Sequence, residues 1–335
     1  MRYLVTGGAG FMGSNFVRYI LGKYDDAVIL VYDKLTYAGR LENLRDVIGS
    51  PRFKFVKADI CDEQRLIKVI KEFEPGVVVN FAAETHVDRS INEPAPFLKT
   101  NVLGLFNILE TARMLEVPLV VHISTDEVYG DLWEKEPVNE EAPFRPSSPY
   151  SASKASGDLL CQAYWRTYSL PVIVMRPSNN YGPYQHPEKF IPKIIIRALH
   201  DKPIPVYGRG DQVRDWLYVE DFAEALDMVI VGGSKGEIYN VPGFNERKNI
   251  EVVETILKLM GKPSALVRHV EDRPGHDRRY AMRGDKILGL GWKPKTSWLE
   301  GLKKTIEWYV SNKWWWQPLV DDEYFKLDTP WDKAF

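Results

Sequence analysis

Arg2-Tyr3-Leu4-Val5-Thr6-Gly7-Gly8-Ala9-Gly10-Phe11-Met12-Gly13 decides how the rest of the chain is read. A short apolar strand feeds a glycine cluster, and the segment from Ser14 to about Leu21 has helix-like spacing. Glycines at 7, 10 and 13 serve a tight turn, close approach of backbone to a pyrophosphate, and close packing of helix on strand. The spacing is GxxGxxG, not GxGxxG. Glycines alone would say little, but strand, glycines and helix in that order mark a dinucleotide-binding start.

Working outward, Val28-Ile29-Leu30-Val31-Tyr32 is a second buried strand, and it ends at Asp33, twenty residues after Gly13. A carboxylate there can accept both adenosine ribose hydroxyls and repels a 2′-phosphate, which favours NAD over NADP despite neighbouring Lys34. Phe53 to Val56 reads as a third strand, with Asp59 beyond it placed to accept the adenine amino group. Val77 to Phe81 is a fourth, and the small Ala82 and Ala83 after it let the chain pass close to a cofactor. Helical spacing at 63–73 and 97–115 lies between strands. In the second of these, Asn101 and Asn107 interrupt the apolar face. This alternation predicts an α/β fold with a doubly wound parallel sheet of Rossmann type.

The apolar run Leu119 to Ile123 is a further strand, ending in Ser124-Thr125-Asp126-Glu127-Val128-Tyr129-Gly130. Two adjacent carboxylates therefore sit at a strand's carboxyl end, where open α/β sheets place ligands. Such a pair is also what a solvated turn or a helix cap looks like. Tyr150-Ser-Ala-Ser-Lys154 follows and enters a helix. Tyr and Lys four apart share a face, so the ammonium is expected to lie near the phenol and lower its pKa. After the strand Pro171 to Met175 the alternation ends. The expected division is residues 1–180 as the dinucleotide-binding domain, with a returning segment near 219–241. Residues 181–218 and 242–335 then form a smaller α/β substrate-binding lobe.

That lobe carries Lys189, Arg214, Arg273 and His276 as candidate anion ligands, in a 335-residue chain whose formal charge is only −2. Near-neutral charge gives no global reason to bind nucleic acid or an anionic membrane, so a phosphate site must be built locally. Cys61 and Cys161 have no metal-like spacing and read as reduced, packed thiols of a cytoplasmic protein. The six scattered histidines argue against a metal site. A strand beginning within three residues leaves no room for a signal peptide, and no apolar run is long enough to span a bilayer. Trp308, Trp314, Trp315, Trp316 and Trp331 are read as packing against the lobe or a partner subunit.

Taken together, Ser-Thr-Asp126-Glu127-Val-Tyr-Gly, Ala-Ala-Glu-Thr-His-Val-Asp-Arg-Ser, Ser-Asn-Asn-Tyr-Gly-Pro-Tyr, Pro-Glu-Lys, Arg-Asp-Trp-Leu-Tyr-Val-Glu-Asp and Arg-Pro-Gly-His-Asp-Arg-Arg-Tyr resemble the nucleotide-sugar 4,6-dehydratases of the extended short-chain dehydrogenase/reductase family. The resemblance runs from residue 2 to about 318. It implies tightly bound NAD, regenerated at each turnover, and dTDP-glucose as substrate. UDP- and CDP-glucose dehydratases share the reaction, and 4-epimerases share all but the Asp-Glu pair.

By the same resemblance the catalytic residues are Thr125, Asp126, Glu127, Tyr150 and Lys154. The cofactor shell is Gly7, Gly10, Phe11, Met12, Gly13, Asp33, Lys34, Thr36, Asp59, Ile60, Ala82, Ala83, Thr100 and Asn179, with Tyr150 and Lys154 again. The substrate shell is Thr85, Thr125, Asn180, Lys189, Arg214, Asn249, Arg273 and His276. A homodimer formed through the helices that begin near Phe97 and Tyr150 is also expected. A non-catalytic NAD-binding regulator is the rival from another class, disfavoured because Tyr150 and Lys154 both stand.

Overall fold

A computed structural model describes residues 1–331. Valine- and isoleucine-rich strands β1 (Arg2–Thr6), β2 (Val28–Asp33), β3 (Phe53–Lys57), β4 (Val77–Asn80), β5 (Val120–Ile123) and β6 (Val172–Pro177) are almost wholly buried in the first, second, fourth, fifth and sixth cases. Residues apolar on both faces need cover on both faces, which is how parallel sheets arise. The order is β10-β6-β5-β4-β1-β2-β3, all parallel, with β10 (Ile238–Val241) returning late in the chain to pair with β6.

The order in which successive strands are added reverses between β1 and β4, so the loops after these strands splay apart there and leave a crevice. Helices Phe11–Lys23 and Val219–Gly232 cover one face. Helices Glu63–Phe73, Leu105–Met114 and Pro149–Tyr168 cover the other. The long helical pattern expected over 97–115 is interrupted by a π-helical stretch, Leu98–Gly104. Asn101 there is buried, linking Glu84 in the loop after β4 to Ser153 in the helix Pro149–Tyr168. Asn107 instead donates to the carbonyl of Ile60.

Beyond β6 the chain leaves the sheet. β7 (Asn179–Tyr181), β9 (Val213–Tyr218) and β11 (Glu246–Lys248) form a three-stranded sheet, and β8 (Ile204–Tyr207) pairs with β12 (Val267–Val270). Helices Phe190–Leu199, Asn249–Leu259 and Trp298–Ser311 enclose a second core in which Trp216, Trp298, Trp315 and Trp316 are buried. Much of the tryptophan cluster is therefore packing within this lobe.

Behind the crevice a buried ion pair ties the sheet to the helix Pro149–Tyr168 that covers it. Arg176 Nε on β6 donates to Asp158 Oδ2 at 2.7 Å, both side chains being at most 1% exposed. Arg176 Nη1 reaches the Tyr129 hydroxyl at 2.6 Å, and that hydroxyl donates to Asn240 on β10 at 2.7 Å. The network thus supports the turn that carries Asp126 and Glu127. Removing one member of such a pair strands the other charge in the interior. Asp158→Ala is expected to cost about 3–5 kcal/mol in unfolding free energy measured by denaturant titration; a loss under about 1 kcal/mol would contradict this account.

Candidate active site

At the crevice the glycine-rich turn is pressed against the loop after β4. Gly7 has φ +67°, and a Cβ there would lie 2.5 Å from the backbone nitrogen of Ala82. A Cβ on Gly13 would lie 2.6 Å from the carbonyl oxygen of Gly7. Only hydrogen at both positions permits the turn to close over the strand. The helix Phe11–Lys23 that follows has no side-chain cap and no acidic residue in its first turn, so its N-terminal amides are free for an anion. Asp33 at the end of β2 is buried, accepting from Ala9 N at 3.0 Å and Leu35 N at 2.8 Å.

These groups open on one cavity, which every residue expected for the cofactor lines, from Gly7 and Asp33 through Thr100 to Lys154 and Asn179. A second cavity adjoins it, lined by Thr85, Asn180, Lys189, Arg214, Asn249, Arg273 and His276. Thr125 faces the first. Several amide oxygens in these walls are buried without a hydrogen-bond donor: Asn179 Oδ1, Asn180 Oδ1, Gln185 Oε1 and Asn249 Oδ1, together with Arg273 Nε. Buried polar atoms are seldom left unpaired, so a polar ligand is what these walls are built to receive. Uncapped amides, a glycine cradle and Asp33 fit a dinucleotide in the first cavity; guanidinium and ammonium groups fit a diphosphate in the second.

Glu127 lines both cavities. Asp126 and Glu127 occupy a 3-10 turn, Asp126–Tyr129, entered through Thr125, whose hydroxyl accepts from Glu127 N. Burial and the adjacent Glu127 push the Asp126 carboxyl well above the usual range. Burial raises Glu127 too, but Arg273, Arg214 and Lys189 resist the rise. The two acids therefore sit in unequal fields: burial and Glu127 drive Asp126 towards its protonated form with Arg214 the one cation opposing, whereas Glu127 faces three cations that favour its ionised form.

Lys154 corrects the expectation that its ammonium lies against the phenol. Lys154 Nζ instead donates to the carbonyl of Ile123 at 2.6 Å and lies 3.5 Å from His122 Nε2. Burial draws the ammonium down to about 8, and burial with nearby Glu127 pushes the Tyr150 phenol far above its ordinary value. Helical spacing brings the two residues to one face, but a buried ammonium takes the nearest acceptor, which here is a strand-end carbonyl.

Of the candidate anion ligands, Lys189 donates to Thr85 O at 2.9 Å and Arg273 to Asp88 Oδ1 at 3.0 Å. Arg214 donates to backbone carbonyls and lies over the Tyr280 ring, 4.3 Å from its centroid. His276 is no cation. Burial, then Arg273, pushes it down to about 4, so it is a neutral hydrogen-bonding group bound to Asp272 at 2.6 Å.

Sequence reasoning missed three contributors. Asp88 holds Arg273 in place, Tyr280 reaches Glu127 at 3.4 Å, and Gln185, whose buried oxygen has no donor, lines both cavities. Asp88 and Tyr280 lay within quoted motifs, and only their side-chain partners assign them. Among the described residues no group of side chains is arranged to hold a metal ion, and no helix is long and apolar enough to cross a membrane.

Fold and site together define a dinucleotide-binding, extended short-chain dehydrogenase/reductase with a cation-lined second cavity. The family model described as GDP-mannose 4,6 dehydratase matches residues 4–305. A dTDP-glucose 4,6-dehydratase of Neisseria meningitidis serogroup B is 51% identical, over 96% of this chain and 97% of its own. A crystal structure of dTDP-glucose 4,6-dehydratase from Bacillus anthracis, in complex with NAD, superposes with a TM-score of 0.90 at 48% identity, covering 95% of this chain and 99% of that one. The Streptomyces venezuelae enzyme of the same name, also solved with NAD bound, gives 0.92 at 46%, covering 95% and 100%. The chain belongs to the dTDP-glucose 4,6-dehydratase family.

His86, buried beside the second cavity, is pulled down to about 4 by its burial although Glu188 opposes this. The unfolded chain protonates such a group near pH 6.5 and the folded chain only near 4, so stability is lost as pH falls through that window. At about 1.4 kcal/mol per unit the loss approaches roughly 3 kcal/mol. The melting temperature should therefore fall between pH 6.5 and 4, and less steeply in His86→Gln. Equal slopes in both proteins would rule the assignment out.

Proposed function

We infer that this chain is a dTDP-glucose 4,6-dehydratase, converting dTDP-D-glucose to dTDP-4-dehydro-6-deoxy-D-glucose and water. The observation that carries the reading is that two acids of unequal proton affinity stand where a dinucleotide cavity meets a cation-lined one. A 4-epimerase needs Tyr150 and NAD but has no use for this pair.

NAD held in the first cavity would supply the acceptor for hydride from sugar C4 and its donor to C6, and its positive charge would lower the proton affinity of the Tyr150 phenol. Tyr150 takes the C4 hydroxyl proton, with Thr125 hydrogen-bonding the same oxygen. The resulting 4-ketone acidifies C5–H, and Glu127 removes that proton. Asp126 gives its proton to the departing C6 hydroxyl, so that water leaves and C5=C6 forms. Glu127 then returns its proton to C5. The proton collected at Tyr150 balances the one Asp126 has lost, and Asp126 must recover it before the next turnover.

Lys154 holds the nicotinamide ribose, Asp33 the adenosine ribose and Asp59 the adenine. The cationic lobe grips the diphosphate through Lys189, Arg214 and Arg273, while Asn180, Asn249 and His276 offer neutral contacts. The exposed apolar residues Leu98, Leu103, Phe106 and Leu159 support a homodimer built on two helices from each subunit. A cytoplasmic location agrees with two free, packed cysteines.

Incubation of the protein with dTDP-glucose should give a product lighter by one water, with the alkali-induced absorbance of a keto sugar and no net consumption of NAD. A product of unchanged mass would mean epimerisation. Asp126→Asn and Glu127→Gln should each slow elimination by about 10²–10⁴ while leaving NAD binding intact. Loss of bound NAD in either would count against these roles.

A further inference from the structure

Past the helix Trp298–Ser311 the chain turns back to the N-terminal domain. Trp315, 1% exposed, touches that domain through its indole N–H and its carbonyl. Its indole Nε1 donates to Asn43 Oδ1 at 2.7 Å, and its carbonyl accepts from Arg40 Nη1 at 3.0 Å. Both partners hold a single atom of the glycine-rich turn. The carbonyl oxygen of Ala9 accepts from Asn43 Nδ2 at 2.7 Å and from the backbone nitrogen of Arg40 at 3.0 Å. Ala9 N in turn donates to Asp33 Oδ2. Ala9 is thereby held on its amino side by a carboxylate at the end of β2, and on its carbonyl side by a bracket that terminates on Trp315.

Asn43 is wholly buried, and its two amide ends point to different partners. The Trp315 donor therefore fixes which way the amide faces. Without it, Oδ1 would be a buried acceptor lacking its donor, and rotation to relieve that would present oxygen to the oxygen of Ala9. The indole itself is held between Trp308, whose ring centroid is 5.0 Å away, and Tyr184 at 5.8 Å. Neighbouring Trp316 is equally buried, but its Nε1 donates to the carbonyl of Tyr309 at 2.8 Å, within its own lobe. Two adjacent tryptophans thus share burial and an indole hydrogen bond, and only one connects to the turn.

We propose that Trp315 is a positioning residue for the cofactor, acting through Asn43 and Ala9 to hold the glycine-rich turn in its dinucleotide-binding shape, so that the substrate lobe's distal segment governs how long NAD stays bound. The proposal rests on the reading of that turn as the NAD site. It assigns Trp315 no contact with substrate or with reacting atoms. Cofactor residence depends on it; the proton transfers do not.

The test compares the full-length wild type with Trp315→Phe, which keeps an aromatic ring and removes the donor, and with Trp316→Phe as a packing control. Bound NAD per chain is measured after gel filtration, the NAD dissociation rate by dilution into a trap, and dehydration with and without added NAD. Trp315→Phe should release NAD roughly tenfold faster, a factor of the size one lost hydrogen bond supplies. It should emerge depleted of NAD and regain wild-type kcat, at unchanged KM for dTDP-glucose, when NAD is added. Trp316→Phe should keep wild-type NAD content even where its melting temperature falls as far. If Trp315→Phe does not accumulate as folded protein, Asn43→Ser breaks the bracket from its other end and should give the same loss. Wild-type NAD retention in the Trp315 or Asn43 variant, or equal loss in the Trp316 control, overturns the proposal. A wild type that binds no NAD at all overturns the underlying reading as well, and is told apart by being visible before any substitution.

Discussion

The approach of Gly7 to Ala82 is the constraint on which the site depends. Two loops leaving oppositely wound halves of a parallel sheet must pass within van der Waals contact, and a Cβ on Gly7 would sit 2.5 Å from the nitrogen of Ala82. With that passage closed, the uncapped end of the helix Phe11–Lys23, the carboxylate of Asp33 and the strand-end segments from Ala82 and Ser124 all face one crevice. Moving the turn outward by the width of a methyl group would displace every one of these from the others. The sheet therefore acts as a jig, and the chemistry is set by what stands at its carboxyl edge.

What stands there is a controlled imbalance of charge. A chain of formal charge −2 gathers Lys189, Arg214 and Arg273 around a pair of carboxyls, and does so asymmetrically. Glu127 opens on both cavities and faces the cations, whereas Asp126 lies deeper and faces Glu127. Two acids adjacent in sequence thereby acquire different proton affinities from position alone. The cations have their own supports: Asp88 fixes one guanidinium, Tyr280 lies under another, and Thr85 receives the ammonium.

Features governed by local patterning could be read from the sequence. The first six strands, the glycine turn, Asp33 at the end of β2 and the Tyr150–Lys154 helix follow from runs of β-branched residues, turn chemistry and helical spacing. The return of the chain near 219–241 was also legible, although the place of β10 beside β6 was not. The short strands β7, β8, β9, β11 and β12 escaped because Asn, Pro, Arg, Asp or His interrupts each of them, leaving no run of β-branched residues, and their partners lie far away in the chain. The orientation of Lys154 escaped because spacing fixes a face and not a rotamer; the Ile123 carbonyl that captures it belongs to another element. Residues such as Asp88 and Gln185 became functional only when tertiary structure supplied their neighbours. The resemblance to a family carried the substrate shell further than residue chemistry did, since Asn180 and Asn249 have no distinguishing local pattern.

The bracket on Ala9 has a consequence for how the protein is made. Asn43 and Trp315 are 272 residues apart, yet their hydrogen bond belongs to the same clamp as a turn completed by residue 13. During synthesis the first strands can pair and the turn can form long before its last fastening exists, and contacts of such sequence separation are the slow ones to close. A nascent chain halted before Trp315 would carry a formed but loosely held nucleotide turn. On the proposed role of Trp315, durable loading with the dinucleotide is a late event in maturation, and a chain that carries it stably has also folded its second lobe.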